Sequence, residues 1–91
     1  MAAYAYILRC TDGCCYYGST NDLLQRLVRH RAGRVRSTAW RLPVALVCFE
    51  EFETLEQAKR REQSFKNGRT RRNTIENLIR TFPADKLATF A

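Results

Sequence analysis

No segment of this 91-residue chain is apolar for long enough to cross a membrane. The run Ala2–Leu8 has no basic residue before it and is closed by Arg9, so it fits neither a signal h-region nor a span; a cytoplasmic location is the expectation. Histidine is represented by His30 alone. The four cysteines (Cys10, Cys14, Cys15 and Cys48) are bunched rather than set in C-x-x-C pairs, which argues for free thiols and against a zinc site or a disulfide framework. Acidic residues are scarce, with 9 Asp and Glu against 16 Lys and Arg. No repeat, low-complexity tract or linker interrupts the chain. The length suits one small domain, expected over residues 1–82 with a short tail at 83–91, and excludes a multidomain enzyme, a doubly wound fold or a large barrel.

What is present is a globular composition, 45% hydrophobic and 11% aromatic, carrying a formal net charge of +7. Such a balance predicts an anionic partner, nucleic acid first. The charge is blocked. Arginines dominate residues 1–44, residues 45–58 hold only Glu50, Glu51, Glu53 and Glu56, and residues 59–80 turn basic again. Such runs are either solvated helix faces or a cationic face backed by an anionic one.

Tyr4, Tyr6 and Leu8 alternate with Ala5 and Ile7 as in a strand, and Thr11-Asp12-Gly13 turns into a second strand at Cys14–Gly18. Thr20-Asn21-Asp22 supplies N-cap residues and Gly33 a stop, so a helix fills the interval. Residues 34–42 read as a basic loop, and Val44–Phe49 as a third strand. Thr54-x-x-Gln57 is a capping box opening a helix that runs to about Asn67, and a third helix is expected around Arg71–Arg80. The order is β-β-α-β-α-α, an α+β fold with a small three-stranded antiparallel sheet flanked by helices.

Within this frame, Leu23, Leu24, Leu27 and Val28 form the apolar stripe of the first helix, with Arg26 and His30 stacked along its margin. They are either a snorkelling arginine with a solvated histidine, or a pair aimed along the sheet surface. On the second helix Leu55, Ala58, Glu62 and Phe65 define an inward stripe, and a carboxylate there needs compensation. Lys66, one turn on, can supply a salt bridge; alternatively Glu62 is a ligand for a hard divalent cation. With the phenols Tyr6 and Tyr16, these side chains amount to the equipment for cleaving a phosphodiester: a base, a cation and a metal ligand.

The series Tyr4-Ala5-Tyr6-Ile7-Leu8, Tyr16-Tyr17-Gly18, Thr20-Asn21-Asp22-Leu23 through Arg26, and His30-x-x-Gly33 resembles the GIY-YIG nuclease family. Ala58-Lys59-Arg60-Arg61-Glu62 followed by Phe65-Lys66 is similar to its small stand-alone bacterial branch, and the resemblance covers residues 3–80. The first motif keeps only its tyrosine, and Tyr17 stands where the family name has Ile. The resemblance implies a Mg²⁺- or Mn²⁺-dependent DNA endonuclease. Glu62 would hold the metal, Tyr6 would be the general base with its pKa lowered by nearby cations, and Tyr16 would orient water or phosphate. Arg26 would neutralise the phosphorane, and His30 would hydrogen-bond Tyr6 or the phosphate. Ser37, Thr38, Trp40, Arg41, Lys66 and Arg69 are the expected backbone contacts. With no appended reading domain, electrostatics and stacking favour single-stranded or branched DNA, and no obligate protein partner or membrane is implied. The competing expectation is a non-catalytic DNA- or RNA-binding module on the same scaffold.

Overall fold

The computed structural model describes residues 2–90; Met1 and Ala91, the outer limits of the expected domain and tail, lie outside the described residues. Strand β1 (Ala3–Arg9) is the middle of the sheet, with β2 (Cys15–Thr20) and β3 (Ala45–Phe52) antiparallel on either side. Both faces of β1 are covered, so Ala5, Tyr6, Ile7 and Leu8 are all buried although they alternate in direction. One face, carrying Ala5, Ile7 and Cys48, meets Phe65 of α3 (Leu55–Lys66) and Ile75 of α4 (Arg72–Thr81). The other, carrying Tyr6 and Leu8, meets Leu23 and Leu27 of α1 (Leu23–Arg31). The helices thus sandwich a three-stranded antiparallel sheet, the α+β architecture expected.

The caps fall where the side chains dictate. Asp22 accepts from the Gln25 amide at the start of α1, and Thr54 and Gln57 close a reciprocal capping box on α3. Gly33 ends α1 at φ 75°, a conformation a side chain would strain. The acidic stretch is partly consumed internally: Glu50 receives a bidentate pair from Arg61 (2.6 and 3.2 Å), and Glu56 pairs with Arg60 at 2.8 Å.

Several boundaries move. β2 begins at Cys15 and runs on to Thr20, and β3 begins at Ala45 and continues to Phe52 because each ladder with β1 extends that far. A short helix, α2 (Arg36–Ala39), interrupts the expected loop, and α5 (Ala84–Ala88) follows Pro83. Beyond α5, Phe90 packs edge-on against Phe49 (centroids 5.1 Å apart) and Tyr4 (6.3 Å), closing the α1 face of the core. The stripe on α1 is also rotated. Leu24 and Val28 are 53% and 51% exposed, whereas Leu23, Leu27 and His30, at spacings of four and three, are the residues that face the sheet.

Candidate active site

Tyr6 projects from β1 onto the α1 face, directly across from Gly18 of the edge strand β2. A Cβ at Gly18 would stand 2.8 Å from the Tyr6 Cε1 and closer still to Cζ and Oη, so only glycine lets the ring lie across β2. The phenol oxygen then reaches two residues of α1. Arg26 donates to it through Nε at 3.2 Å, and His30 Nε2 lies 2.9 Å away. On the far side of the imidazole, Nδ1 is 2.8 Å from the hydroxyl of Thr38 on α2. Tyr6, His30 and Thr38 are all fully buried.

Burial allows the protons in this chain to be assigned. Arg26 has no acceptor to offer, so the Tyr6 O–H must donate to His30 Nε2. Nδ1 of the neutral ring therefore carries the hydrogen and donates to Thr38, whose own hydroxyl donates to the Val35 carbonyl at 3.5 Å. The electrostatics agree. Burial, reinforced by the Arg26 charge, lowers the His30 pKa from 6.5 to about 4, so the ring is neutral at pH 7. For Tyr6, burial outweighs the Arg26 hydrogen bond and pushes the phenol from 10.0 up to about 12. The expected lowering of the Tyr6 pKa is thus reversed, because the cost of a buried phenolate exceeds what one guanidinium returns.

Around this core lie the half-buried members. The Tyr16 ring meets the His30 ring edge-on at 5.0 Å and the Tyr6 ring at 6.3 Å, while Tyr17 points to the opposite face and packs on Phe65 at 5.4 Å. Arg26 has its pKa raised, first by its hydrogen bond to Tyr6 and further by Tyr16. Glu62 comes from α3, across the sheet, and is anchored at the edge strand by Ser19, whose hydroxyl donates to Oε1 at 2.6 Å. Lys66 donates to Oε2 of the same carboxylate, whose side chain is 15% exposed. The Glu62 charge is near enough to contribute to the rise in the Tyr6 pKa.

The structure therefore brings Tyr6, Tyr16, Arg26 and His30 into one cluster, with Glu62 approaching from the other layer at β2. His30 is at the centre of the buried stripe instead of at its margin. Among the expected backbone contacts, Ser37, Lys66 and Arg69 are exposed and Trp40 is 74% exposed. Thr38 is not available to a nucleic acid, being enclosed against His30. Arg41 is already engaged: it donates to the Ser37 carbonyl at 3.1 Å, lies 3.7 Å from Asp12 and stacks 5.0 Å from the Trp40 ring centre. Ser19, which holds Glu62, was not among the expected residues, although alternation along β2 places it on the α3 face; Thr38 was expected as a backbone contact and instead holds His30, a placement that nothing local in the sequence marks.

Among the described residues no three His, Cys, Asp or Glu side chains converge on a metal position. The donor set at Glu62, one carboxylate with a hydroxyl beside it, fits Mg²⁺ or Mn²⁺, which retain waters and take substrate phosphate oxygens, and does not fit zinc.

The family model described as the GIY-YIG catalytic domain matches residues 2–76. A UPF0213 protein of Streptococcus pyogenes serotype M5 (strain Manfredo) is 44% identical over 70 residues, 76% of each chain, and one from serotype M1 matches to the same extent. The solution NMR structure of a UPF0213 protein from Bacillus halodurans shares 33% identity, with a TM-score of 0.56 over 98% of this chain and 94% of that one. With its sheet, its two tyrosine motifs and this match over most of its length, the chain belongs to the GIY-YIG family.

Proposed function

We propose that residues 1–82 form a divalent-metal-dependent DNA endonuclease acting on single-stranded or branched DNA. The observation that carries this reading is the buried phenol of Tyr6, held between a guanidinium donor and a neutral imidazole acceptor. A phenol oxygen has two acceptor positions. Arg26 occupies one, leaving the other for a water proton. As that proton arrives, the Tyr6 O–H passes its own to His30 Nε2, so no free buried phenolate is needed. An anionic phosphate drawn up to Arg26 favours the imidazolium that results. Tyr6 has no exposed surface, so water reaches its oxygen as the half-buried Arg26 and Tyr16 turn toward the phosphate. Arg26 then stabilises charge growing on the phosphoryl oxygens.

Glu62 would hold the Mg²⁺ or Mn²⁺, which supplies charge stabilisation at the phosphate and the leaving oxygen. Lys66 and Ser19 hold that carboxylate in place, one donor on each oxygen. The clustered arginines and lysines, with the exposed Trp40 as a stacking surface, favour substrates gripped by backbone contacts and stacking.

The second reading, a binding module without catalysis, draws on one specific observation: both oxygens of Glu62 already have protein partners. The two separate cleanly. Glu62→Ala and Arg26→Ala should each abolish Mn²⁺-dependent nicking while the fold and most DNA binding persist. Salt-sensitive binding with no cleavage by the unaltered protein in any divalent metal would favour the module.

A further inference from the structure

On the other face of the sheet from Tyr6 lies a groove of about 510 Å³ that the proposed reaction does not use. Its floor is the half-buried ring of Tyr17 beside Phe65, and its rim carries Arg9, Lys66 and Arg72. Two carboxylates also face it, and each is already matched: Glu76 pairs with Arg9 at 3.4 Å, and Asp12 lies 3.7 Å from Arg41. Arg72 adds a cation in the first turn of α4, where no side chain caps the helix and no acidic residue is present. The groove is continuous with the candidate site. Lys66 lines it and donates to Glu62, and Tyr17 stands between Tyr16 and Gly18 on the edge strand.

We propose that this groove is a second substrate subsite, holding an unpaired nucleotide that flanks the scissile phosphate, with its base against Tyr17 and its phosphates on Arg72 and Lys66. The inference rests on the nuclease reading and narrows its substrate class to a flexible strand. The two phenols, Tyr16 and Tyr17, face opposite sides of β2, so a strand touching both must fold around the free edge of the sheet. A duplex, with a persistence length of about 50 nm, cannot make that turn around a protein measuring 30 × 27 × 26 Å; a single strand can. Aromatic floor, cationic rim and an open edge are the combination that binds single strands without reading them.

A built-in probe tests this. Cys14 is an exposed thiol that lines the groove, whereas Cys10 and Cys48 are buried. The full chain is alkylated with iodoacetamide in chelator, with and without a short oligothymidylate, and modification is located by mass spectrometry. Bound single strand should slow modification of Cys14 by about tenfold, and a duplex of the same length should not. In parallel, Arg72→Glu should weaken oligothymidylate binding about tenfold more than Arg80→Glu, the same charge change on α4 outside the groove. A bound oligonucleotide that leaves Cys14 reactive, equal protection by duplex, or equal losses from the two reversals would overturn the subsite while leaving the nuclease reading intact. Failure of any oligonucleotide to bind would remove both.

Discussion

Replacing Gly18 by Ala tests the geometry on which the site depends. The added methyl would stand 2.8 Å from the Tyr6 Cε1 and closer to Cζ and Oη, and the ring has little room to retreat between Tyr16 and His30. Forcing a group into a packed site of this kind costs about 1–3 kcal/mol. Displacing the phenol also breaks its contacts with Arg26 and His30, and leaving a buried polar partner unsatisfied adds about 1–3 kcal/mol. Against this, Ala recovers about 0.5–1 kcal/mol of the backbone entropy that glycine loses in a strand. The net expectation is a loss of about 2–4 kcal/mol, large against a typical total of about 5–15 kcal/mol but not fatal to folding. Urea denaturation should therefore show a lowered midpoint with an unchanged slope. The control is Tyr6→Leu, which removes the atoms that clash. In that background Gly18→Ala should be neutral or stabilising by about 0.5 kcal/mol, giving a coupling of about 3 kcal/mol. A penalty of the same size in both backgrounds, or none in either, would refute the claim that Gly18 exists to seat Tyr6.

Three further outcomes follow from the hydrogen-bond chain and its charges. The unfolded chain protonates His30 at pH 6.5 and the folded one only near pH 4, so the unfolded state binds more protons in that window; stability should fall by up to about 3 kcal/mol as pH drops through it, and urea titrations of His30→Gln should show a flatter profile. Thr38→Val removes the acceptor of the Nδ1 hydrogen; metal-dependent cleavage should drop about tenfold with an altered pH profile and a changed tautomer signature in imidazole nitrogen NMR, while Thr38→Ser restores all three. Ser19→Ala frees one oxygen of Glu62 from its anchor, and divalent-metal affinity measured by titration should fall about 10- to 100-fold.

Much of this molecule is legible from residue patterns. Capping by Asp22 and Thr54, the turn at Gly13, and the stop at Gly33 are local signals, and the helices and strands they delimit lie within a few residues of where they are read. The inward position of Glu62 follows from spacing against Ala58 and Phe65. What spacing could not reveal is rotation about a helix axis: Leu24 and Val28 are as apolar as Leu23 and Leu27, and only the docking angle of α1 decides that His30 is buried and they are not. The same holds for Thr38, which matters through a contact made eight residues away in sequence, and for Phe90, which finds its place on Tyr4 and Phe49 across most of the chain. The upward direction of the Tyr6 pKa is likewise hidden from the sequence, where neighbouring cations are visible and the depth of burial that outweighs them is not.

Metal-dependent cleavage of unpaired DNA through Glu62 is the activity from which the other roles at this site follow. Single-turnover cleavage of matched single-stranded, flap and duplex oligonucleotides, run with Mg²⁺, Mn²⁺ or chelator on the unaltered protein and on Glu62→Gln, tests it most directly. The single-stranded and flap substrates should be cleaved only with metal, with the rate falling by about 100-fold or more in Glu62→Gln. Cleavage that survives chelator or the Glu62→Gln substitution, or that prefers the duplex, would contradict it.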